Sequence, residues 1–335
     1  MRGVANRVVN RLQRGSRGRV LGDPSEIVAH VTDRCTLACA MCMNAGAGAD
    51  WPAEGRHEPA RDMTLDDVRL LLTRFSGASS ICFAGVGEPL LARDIRPMVA
   101  EAHARGLRTA LITNGTDLAA HAEWVASGVL DTLDVSLNAY DETSMRRRCG
   151  RGARTLDAVV RGVRAVAARR RKGGAPAISA SAVLWKGREA EAKEIIAFAK
   201  ELGFDDLAFH NLLPSSREGF GTERVLGPED ARWVSGLVDE GRSRGLVVRA
   251  PALIDSRALG SACQSPWRVI YVDAAGGVSA CFRVEAPSRA NGDWRVPGAW
   301  NSHYFVRSRA EQRGDAGLRP PSRCEWCVER RGRRL

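Results

Sequence analysis

The stretch Glu26–Cys42, "EIVAHVTDRCTLACAMC", decides how the rest of the chain is read. Its first half has the apolar character of a strand, and its second half packs Cys35, Cys39 and Cys42 into eight residues. Offsets of four and seven would suit one helix face, but the strand ends immediately before Cys35, so a loop wrapping a metal centre is the better geometry. Structural zinc wants four closed ligands, whereas three thiolates on a 4Fe-4S cluster leave one iron open. Buried cysteines with an accidental spacing are the plain alternative.

Outward from this stretch, residues 26–214 alternate short apolar runs with amphipathic ones, the pattern of repeated βα units around a parallel sheet. The strands are read as "EIVAHVT", "SSICFAG", "LRTALIT", "LDTLDVSL", "AISASAVL" and "DLAFHNLL". Between them, Thr64 and Asp67 form a capping-box pair before the stripe Leu65, Val68, Leu72, Phe75, with Gly77 to close the helix. A second stripe carries Ile95, Met98, Val99 and Ala102, and a third Leu156, Val159, Val160, Val163 and Val166. A closed eight-fold barrel needs about 250 residues, so six units in fewer than about 200 predict an incomplete (β/α)6 barrel or an open sheet.

The connection Met43–Met63, rich in Gly, Ala and Pro, is long enough to expect a functional or disordered loop. After the helix near Pro228–Gly241 the βα rhythm is lost, and from Cys263 a hairpin "RVIYVDAAGGVSACF" turning at Gly276 and Gly277 predicts a small second module. Residues 1–22 read as a basic helix with Val4, Val8 and Leu12 on one face, whose simplest role is packing.

Formal net charge is +11, yet only four of the fifty basic residues are lysines, a bias that with abundant Ala and Gly looks like a GC-rich coding background. No recognised nucleic-acid motif or aromatic-interleaved basic stripe accompanies the charge. No apolar run reaches the roughly 18 residues of a membrane span, and no secretory signal is present, so a cytoplasmic protein is expected. Nine cysteines in that setting suit thiolate ligation better than disulfides.

The CxxxCxxC spacing directly after the first βα strand resembles the signature of radical S-adenosylmethionine (SAM) enzymes, a resemblance covering residues 26–214. "AGVGEP" (Ala84–Pro89) resembles the family's Gly-Gly-Glu motif, which implies that Gly85, Gly87 and Glu88 hold the SAM amino group, with Val86 where glycine is common. "DVSLNAYD" resembles its "SLDA"-type stretch, placing Ser136 and Asn138 near the SAM ribose, and "TNG" (Thr113–Gly115) closes the third strand as in many members. Met41 stands where an aromatic residue usually faces adenine, and a thioether can supply a similar apolar contact. The resemblance implies a 4Fe-4S cluster on Cys35, Cys39 and Cys42 that binds SAM, and an electron donor such as flavodoxin or ferredoxin.

Cys263, Cys281, Cys324 and Cys327 resemble the C-terminal SPASM and twitch modules of the same superfamily, implying one fully ligated auxiliary 4Fe-4S cluster. A four-cysteine zinc site is the rival, since CxxC serves either metal. The organisation expected is a basic segment over 1–24, a partial TIM-like barrel over 25–245 and a twitch/SPASM-like iron-sulfur module over 246–335.

Of the remaining cysteines, Cys82 lies inside the second strand and suits a core role. Cys149, in "MRRRCGRG", follows the Ser136 strand in a loop expected at the barrel mouth. If it reaches the substrate it could return a hydrogen atom from the opposite face, an epimerase mechanism; if remote, an alcohol radical could lose a proton and an electron to give a ketone. His210 is a candidate base or substrate ligand, and Arg146, Arg147 and Arg148 could bind a carboxylate or phosphate, although a solvated basic run is the commoner explanation. The function expected is hydrogen abstraction from a carbohydrate-like substrate, a sugar or aminocyclitol that could be anionic, with epimerisation through Cys149 as the outcome. Alcohol dehydrogenation, sugar-acid decarboxylation or dehydration, and maturation of a ribosomal peptide are the enzymatic alternatives; a zinc or iron-sulfur RNA-binding protein is the non-enzymatic one.

Overall fold

A computed structural model describes residues 18–42, 61–171, 174–214, 219–255, 263–283 and 286–333 of the chain. The basic stretch up to residue 17 and residues 43–60 of the long connection lie outside the described residues. In chain order β1 (Glu26–His30), α1 (Leu65–Arg74), β2 (Ser80–Ala84), α2 (Ile95–Ala104) and β3 (Arg108–Thr113) come first. They are followed by α3 (Leu118–Val125), β4 (Thr132–Ser136), α4 (Glu142–Cys149), α5 (Ala153–Arg169), β5 (Ala177–Leu184), α6 (Glu189–Leu202), β6 (Asp206–Asn211), α7 (Ala231–Ser243) and β7 (Val247–Arg249). After β8 (Leu253–Ile254) come α8 (Ser265–Arg268), β9 (Val269–Asp273), β10 (Gly277–Ser279), β11 (Ser288–Asp293) and α9 (His303–Arg313). This is an α/β fold with a mostly parallel sheet, and all six expected strands form within two residues of their expected ends.

The described residues divide into two compact units interleaved along the chain. The first takes residues 18–34, 61–111 and 263–324. Its strands run β11-β10-β9-β1-β2-β3, parallel from β9 to β3. The first strand of the expected hairpin, β9, pairs in parallel register with β1, from Glu26 opposite Val269 to His30 opposite Asp273. The turn into β10 is held by Asp273, whose carboxylate accepts the N–H groups of Ala275 and Gly277, with Gly276 at a φ of 100°. The Thr64–Asp67 capping box forms reciprocally, with α1 ending at a C-cap on Phe75, two residues before Gly77.

The second unit takes residues 35–42, the described part of 112–255, and 325–333. Its strands β4-β5-β6-β7 are all parallel. The seventh strand continues the βα rhythm past the point where the sequence reading ends it. One face of this sheet carries Leu133, Val135, Ile178, Ala180, Leu184 and Leu207, all fully buried, and α5 and α6 bury Val163, Val166, Ile195, Ile196 and Ala199. Each valine, leucine or isoleucine side chain so buried contributes about 1.5–3 kcal/mol. Alternation then commits Asp134, Ser136, Ser179, Ser181, Asp206, Ala208, His210 and Arg249 to the other face, which is polar. Among the described residues no helix is long and apolar enough to cross a membrane.

Candidate active site

In the first unit the chain leaving β1 and the chain leaving β2 lie backbone against backbone. A Cβ on Gly87 would stand 2.1 Å from the Thr32 carbonyl oxygen, and one on Gly85, at a φ of 130°, would stand 2.8 Å from His30. The Glu88 N–H donates to the Arg34 carbonyl at 2.7 Å. Glycine is therefore required at 85 and 87 by contact, while the residue between them has room for a side chain, which is how Val86 fits the motif. Glu88 is buried and its carboxylate accepts the Leu90 N–H at 3.1 Å. The exit of β1 is pinned in turn by Asp62, which accepts from the Thr32 hydroxyl at 2.7 Å and the Arg34 guanidinium at 2.5 Å. Burial opposes ionisation of Asp62, but these bonds win and hold its carboxyl below the usual range. Burial also lowers the His30 pKa to about 4, so this imidazole is neutral at pH 7.

In the second unit the cysteine loop is held from two sides. From the turn after β3, the Asn114 amide donates to the Cys35 sulfur at 3.6 Å and the Thr36 hydroxyl at 3.0 Å, and Thr36 meets the Thr116 hydroxyl at 2.7 Å. The Leu37 N–H also points at the Cys35 sulfur, at 3.5 Å. From the end of α4, the Cys149 carbonyl accepts the Ala38 N–H at 3.1 Å, the Arg148 carbonyl accepts the Ala40 N–H at 2.8 Å, and Arg151 donates to the Thr36 carbonyl at 2.8 Å. Cys35 is exposed, Cys39, Met41 and Cys42 half-buried. Sequence reasoning noted "TNG" only as a strand ending; the signal for Asn114 as a partner of the loop was its place in that turn.

Cys149 is buried. The neighbouring Cys149 side chain and burial push the Cys39 thiol up, while Cys39 holds Cys149 below the ordinary thiol range against its burial. The arginine run, read as solvated or anion-binding, pairs with carboxylates of the same unit. Arg146 pairs with Glu142 at 2.5 Å, while Arg147 and Arg148 reach Glu191 at 2.6 and 2.5 Å. Fully buried Arg188 donates to Glu191 at 2.9 Å, and the guanidiniums of Arg148 and Arg188 each stack 4.5 Å from the Trp185 ring centroid. The Glu191 carboxylate outcompetes solvent for Arg148 and Arg188 because all three are largely desolvated, whereas Arg147 stays more than half exposed.

Ser136 ends β4 half-buried. Asn138, expected beside a ribose, gives its side-chain carbonyl to the Val183 N–H at 2.9 Å and so ties the end of β4 to β5. Asn211 is likewise structural, bonded to Leu226 and Ala252, whereas His210 is exposed on the polar face. The residue that the sequence reading missed on this face is Asp134. Burial raises its pKa to about 6, Ser181 donates to it, and its Oδ1 has no hydrogen-bond partner among the described residues. Because the folded value exceeds the ordinary 3.8, this carboxyl's contribution is complete below pH 4 and lost as pH rises through about 6. Asp134→Asn will therefore remove a loss of about 2–3 kcal/mol between pH 4.5 and 7.5. Urea unfolding of both proteins at the two pH values checks this; parallel pH dependences would contradict it.

In the first unit, three distal cysteines approach one another through polar contacts. The Ser265 N–H donates to the Cys263 sulfur at 3.4 Å, and the Ser265 hydroxyl to the Ala280 carbonyl at 2.7 Å, next to Cys281. Gln312 accepts the Cys263 N–H at 3.3 Å and donates to the Cys324 sulfur at 3.8 Å. Cys327, in the second unit, is also buried. Among the described residues no three His, Cys, Asp or Glu side chains gather around a single-ion position. The fit to iron-sulfur clusters rests on donor chemistry: a cuboidal cluster takes one thiolate per iron at separate corners, and hydrogen bonds to the sulfurs, as at Cys35, Cys263 and Cys324, stabilise that charge.

Comparison with known proteins adds an independent line. The family model described as the Radical SAM superfamily matches residues 30–199. A GTP 3′,8-cyclase of Marinobacter nauticus is 34% identical over 179 residues, covering 52% of this chain and 50% of that protein. A GTP 3′,8-cyclase of Mycobacterium marinum is 32% identical over 213 residues, covering 62% and 55%. The chain thus spans about half the length of the curated relatives it matches. Among solved structures, anSMEcpe with bound AdoMet superposes at a TM-score of 0.61 with 14% identity, over 90% of this chain and 94% of that one. SuiB of Streptococcus suis bound to S-adenosylmethionine gives 0.60 with 18% identity, over 82% and 64%.

Proposed function

The chain belongs to the radical SAM superfamily, and from that premise we propose that it takes a hydrogen atom from an unactivated C–H bond of a hydroxyl-bearing small molecule and leaves that carbon at the ketone level. The observation that carries the outcome is Cys149. Its side chain is only 3% exposed and its backbone carbonyl holds the cysteine loop at the Ala38 N–H, which argues against the donor of a hydrogen atom to a substrate radical that epimerisation needs. When bound, the cluster on Cys35, Cys39 and Cys42 with SAM supplies a 5′-deoxyadenosyl radical, and an auxiliary cluster on Cys263, Cys281, Cys324 and Cys327 supplies an electron sink.

The chain's own residues do the rest. Asn114 and the Leu37 N–H stabilise negative charge on Cys35. Gly85 and Gly87 let the backbone before Glu88 take a shape that no side chain permits, the shape in which this motif holds an amino group. Met41 and Ser136 take the adenine and ribose contacts that the family resemblance assigns them. Asp134, with a pKa of about 6 and an oxygen lacking a partner among the described residues, accepts the hydroxyl proton as the carbon is oxidised. A face carrying Asp134, Ser136, Ser179, Ser181, Asp206 and Arg249 supports a polyol substrate, of which the sugar or aminocyclitol is one case. The cyclases' 32–34% identity supports the radical-forming half of the reading and makes GTP a second substrate to try.

The test is anaerobic protein with reductant, SAM and a panel of polyols, aminocyclitols and GTP in deuterated water. One 5′-deoxyadenosine per ketone, no solvent deuterium on the substrate carbon, and product retained in Cys149→Ala are expected. Deuterium incorporation that disappears in Cys149→Ala would restore the epimerase.

A further inference from the structure

We propose that Arg249 binds an oxyanion of the substrate, a carboxylate or a phosphate carried at the end away from the carbon that loses hydrogen, so that this site selects acidic polyols over neutral ones. The inference rests on the reading above for the role of the polar face, and names which hydroxyl-bearing molecules that face takes.

Ser136, the last residue of β4, pairs with Ser181 of β5, Ser181 with Ala208 of β6, and Ala208 with Arg249, the last residue of β7. Residues paired in this way point to one face, so the four form a single row across the second unit. With strands about 4.8 Å apart, the row runs about 14 Å along the sheet. Its ends differ in kind: Ser136 stands at the ribose position that the family resemblance assigns, and Arg249 supplies a cation. Between them Ser181 and Ala208 carry short side chains, which leaves space above the sheet for a small molecule lying along the row. Both β4 and β7 finish in this row, and parallel sheets hold their ligands at the C-terminal ends of the strands.

Arg249 is aimed but not spent. Its Nη2 lies 2.7 Å from Oδ1 of Asp206, two residues before Ala208 on the same face, and the other Asp206 oxygen accepts the Ser179 hydroxyl at 3.0 Å. The Arg249–Asp206 contact is a pairing of charges: among the described residues Asp206 Oδ1 has no hydrogen-bond donor, and the Arg249 guanidinium has no hydrogen-bond acceptor. The planar fork of N–H groups is therefore left for an oxyanion, whose geometry it matches. The Arg249 side chain is 57% exposed and Val247, beside it on that face, 63%, so the face stands open at β7. Asp134, on the β4 side, feels the charges of both Asp206 and Arg249. The face is thus acidic toward β4, where the hydroxyl proton is taken, and basic toward β7.

The experiment is calorimetric titration of the reconstituted full-length protein with SAM, without reductant, using glucose, glucuronate and glucose 6-phosphate as probes of equal core and different charge. Salt is held at about 150 mM, where screening over about 8 Å suppresses attraction by net charge alone. At least one anion is expected to bind about tenfold tighter than glucose, and the tighter of the two identifies carboxylate or phosphate. Arg249→Gln is expected to lose that preference and to keep the wild-type melting temperature, since an exposed side chain at a sheet edge leaves no cavity. Arg146→Gln, which removes an arginine outside this face, is expected to keep it. Anions bound no tighter than glucose by the wild type, a preference retained in Arg249→Gln, or an equal loss in Arg146→Gln each overturn the proposal. Addition of reductant separates the premise. An anion preference that depends on Arg249, with no ketone from any compound tried, leaves the anion site standing and sinks the reading above. Ketone formed equally well from a neutral polyol by wild type and Arg249→Gln keeps that reading and overturns this proposal.

Discussion

Cys35→Ala will lower 5′-deoxyadenosine formation by more than about 100-fold, while Asn114→Ala will lower it by about 10-fold. The two numbers separate a ligand from the group that supports it, since losing a partner of a ligand costs about 10–100-fold and losing the ligand costs more. Cys35 is exposed, so its removal leaves no core cavity, and the loss cannot be ascribed to unfolding. The Asn114 amide donates to the Cys35 sulfur and the Thr36 hydroxyl while its oxygen accepts from the Thr116 N–H and hydroxyl, and its alanine variant forfeits all of these while leaving the Leu37 N–H in place. Chromatographic quantification of 5′-deoxyadenosine with SAM and reductant, and iron per chain, check both. Cys35→Ala retaining a tenth of wild-type turnover would remove this cysteine from the ligand set.

Glu191→Gln will destabilise the second unit by about 3 kcal/mol, at the level expected for breaking a buried ion pair. The neutral amide leaves Arg148, 13% exposed at its side chain, and Arg188, wholly buried, facing each other across Trp185 without a counter-charge. Burial works against ionisation of Glu191, but the bonds from Arg148 and Arg188 outweigh it and its pKa is lowered. Its contribution is therefore present above the ordinary glutamate range and lost as pH falls through the lowered value. Guanidinium unfolding at pH 7 and at pH 3 checks this: the variant's deficit is large at pH 7 and shrinks at pH 3. A deficit below about 1 kcal/mol at pH 7 would mean that the arginines are solvated after all.

What could be read in advance was set by local patterning. Six strands and the α2 and α5 stripes announce themselves through apolar spacing, and the α1 N-terminus through Thr64 and Asp67, because each signal and its partner lie within one or two turns of chain. β7 escaped because "VVR" is too short to show a period. The hairpin was visible from Gly276 and Gly277, but its pairing with β1 joins residues 269–273 to 26–30, and no turn chemistry encodes a partner some 240 residues away. The partner of the arginine run was hidden for the same reason. Arg147 and Arg148 look solvated on α4 until Glu191, more than forty residues on, is brought beside them. Asn138 carries the same lesson at the ribose position, since its acceptor was claimed by a neighbouring strand.

The amide of Gln312 has a polarity that its outline does not reveal. With its oxygen on the Cys263 N–H and its nitrogen on the Cys324 sulfur, both ends are satisfied; turned over, donor would face donor and two acceptors would meet. It works as a keyed connector: two turns that arrive from sequence positions about sixty apart can be joined through it in one phase only. A glutamate has nearly the same shape and would fill the same space, yet would set a negative charge against a sulfur, so at this position the key is read by charge and not by size.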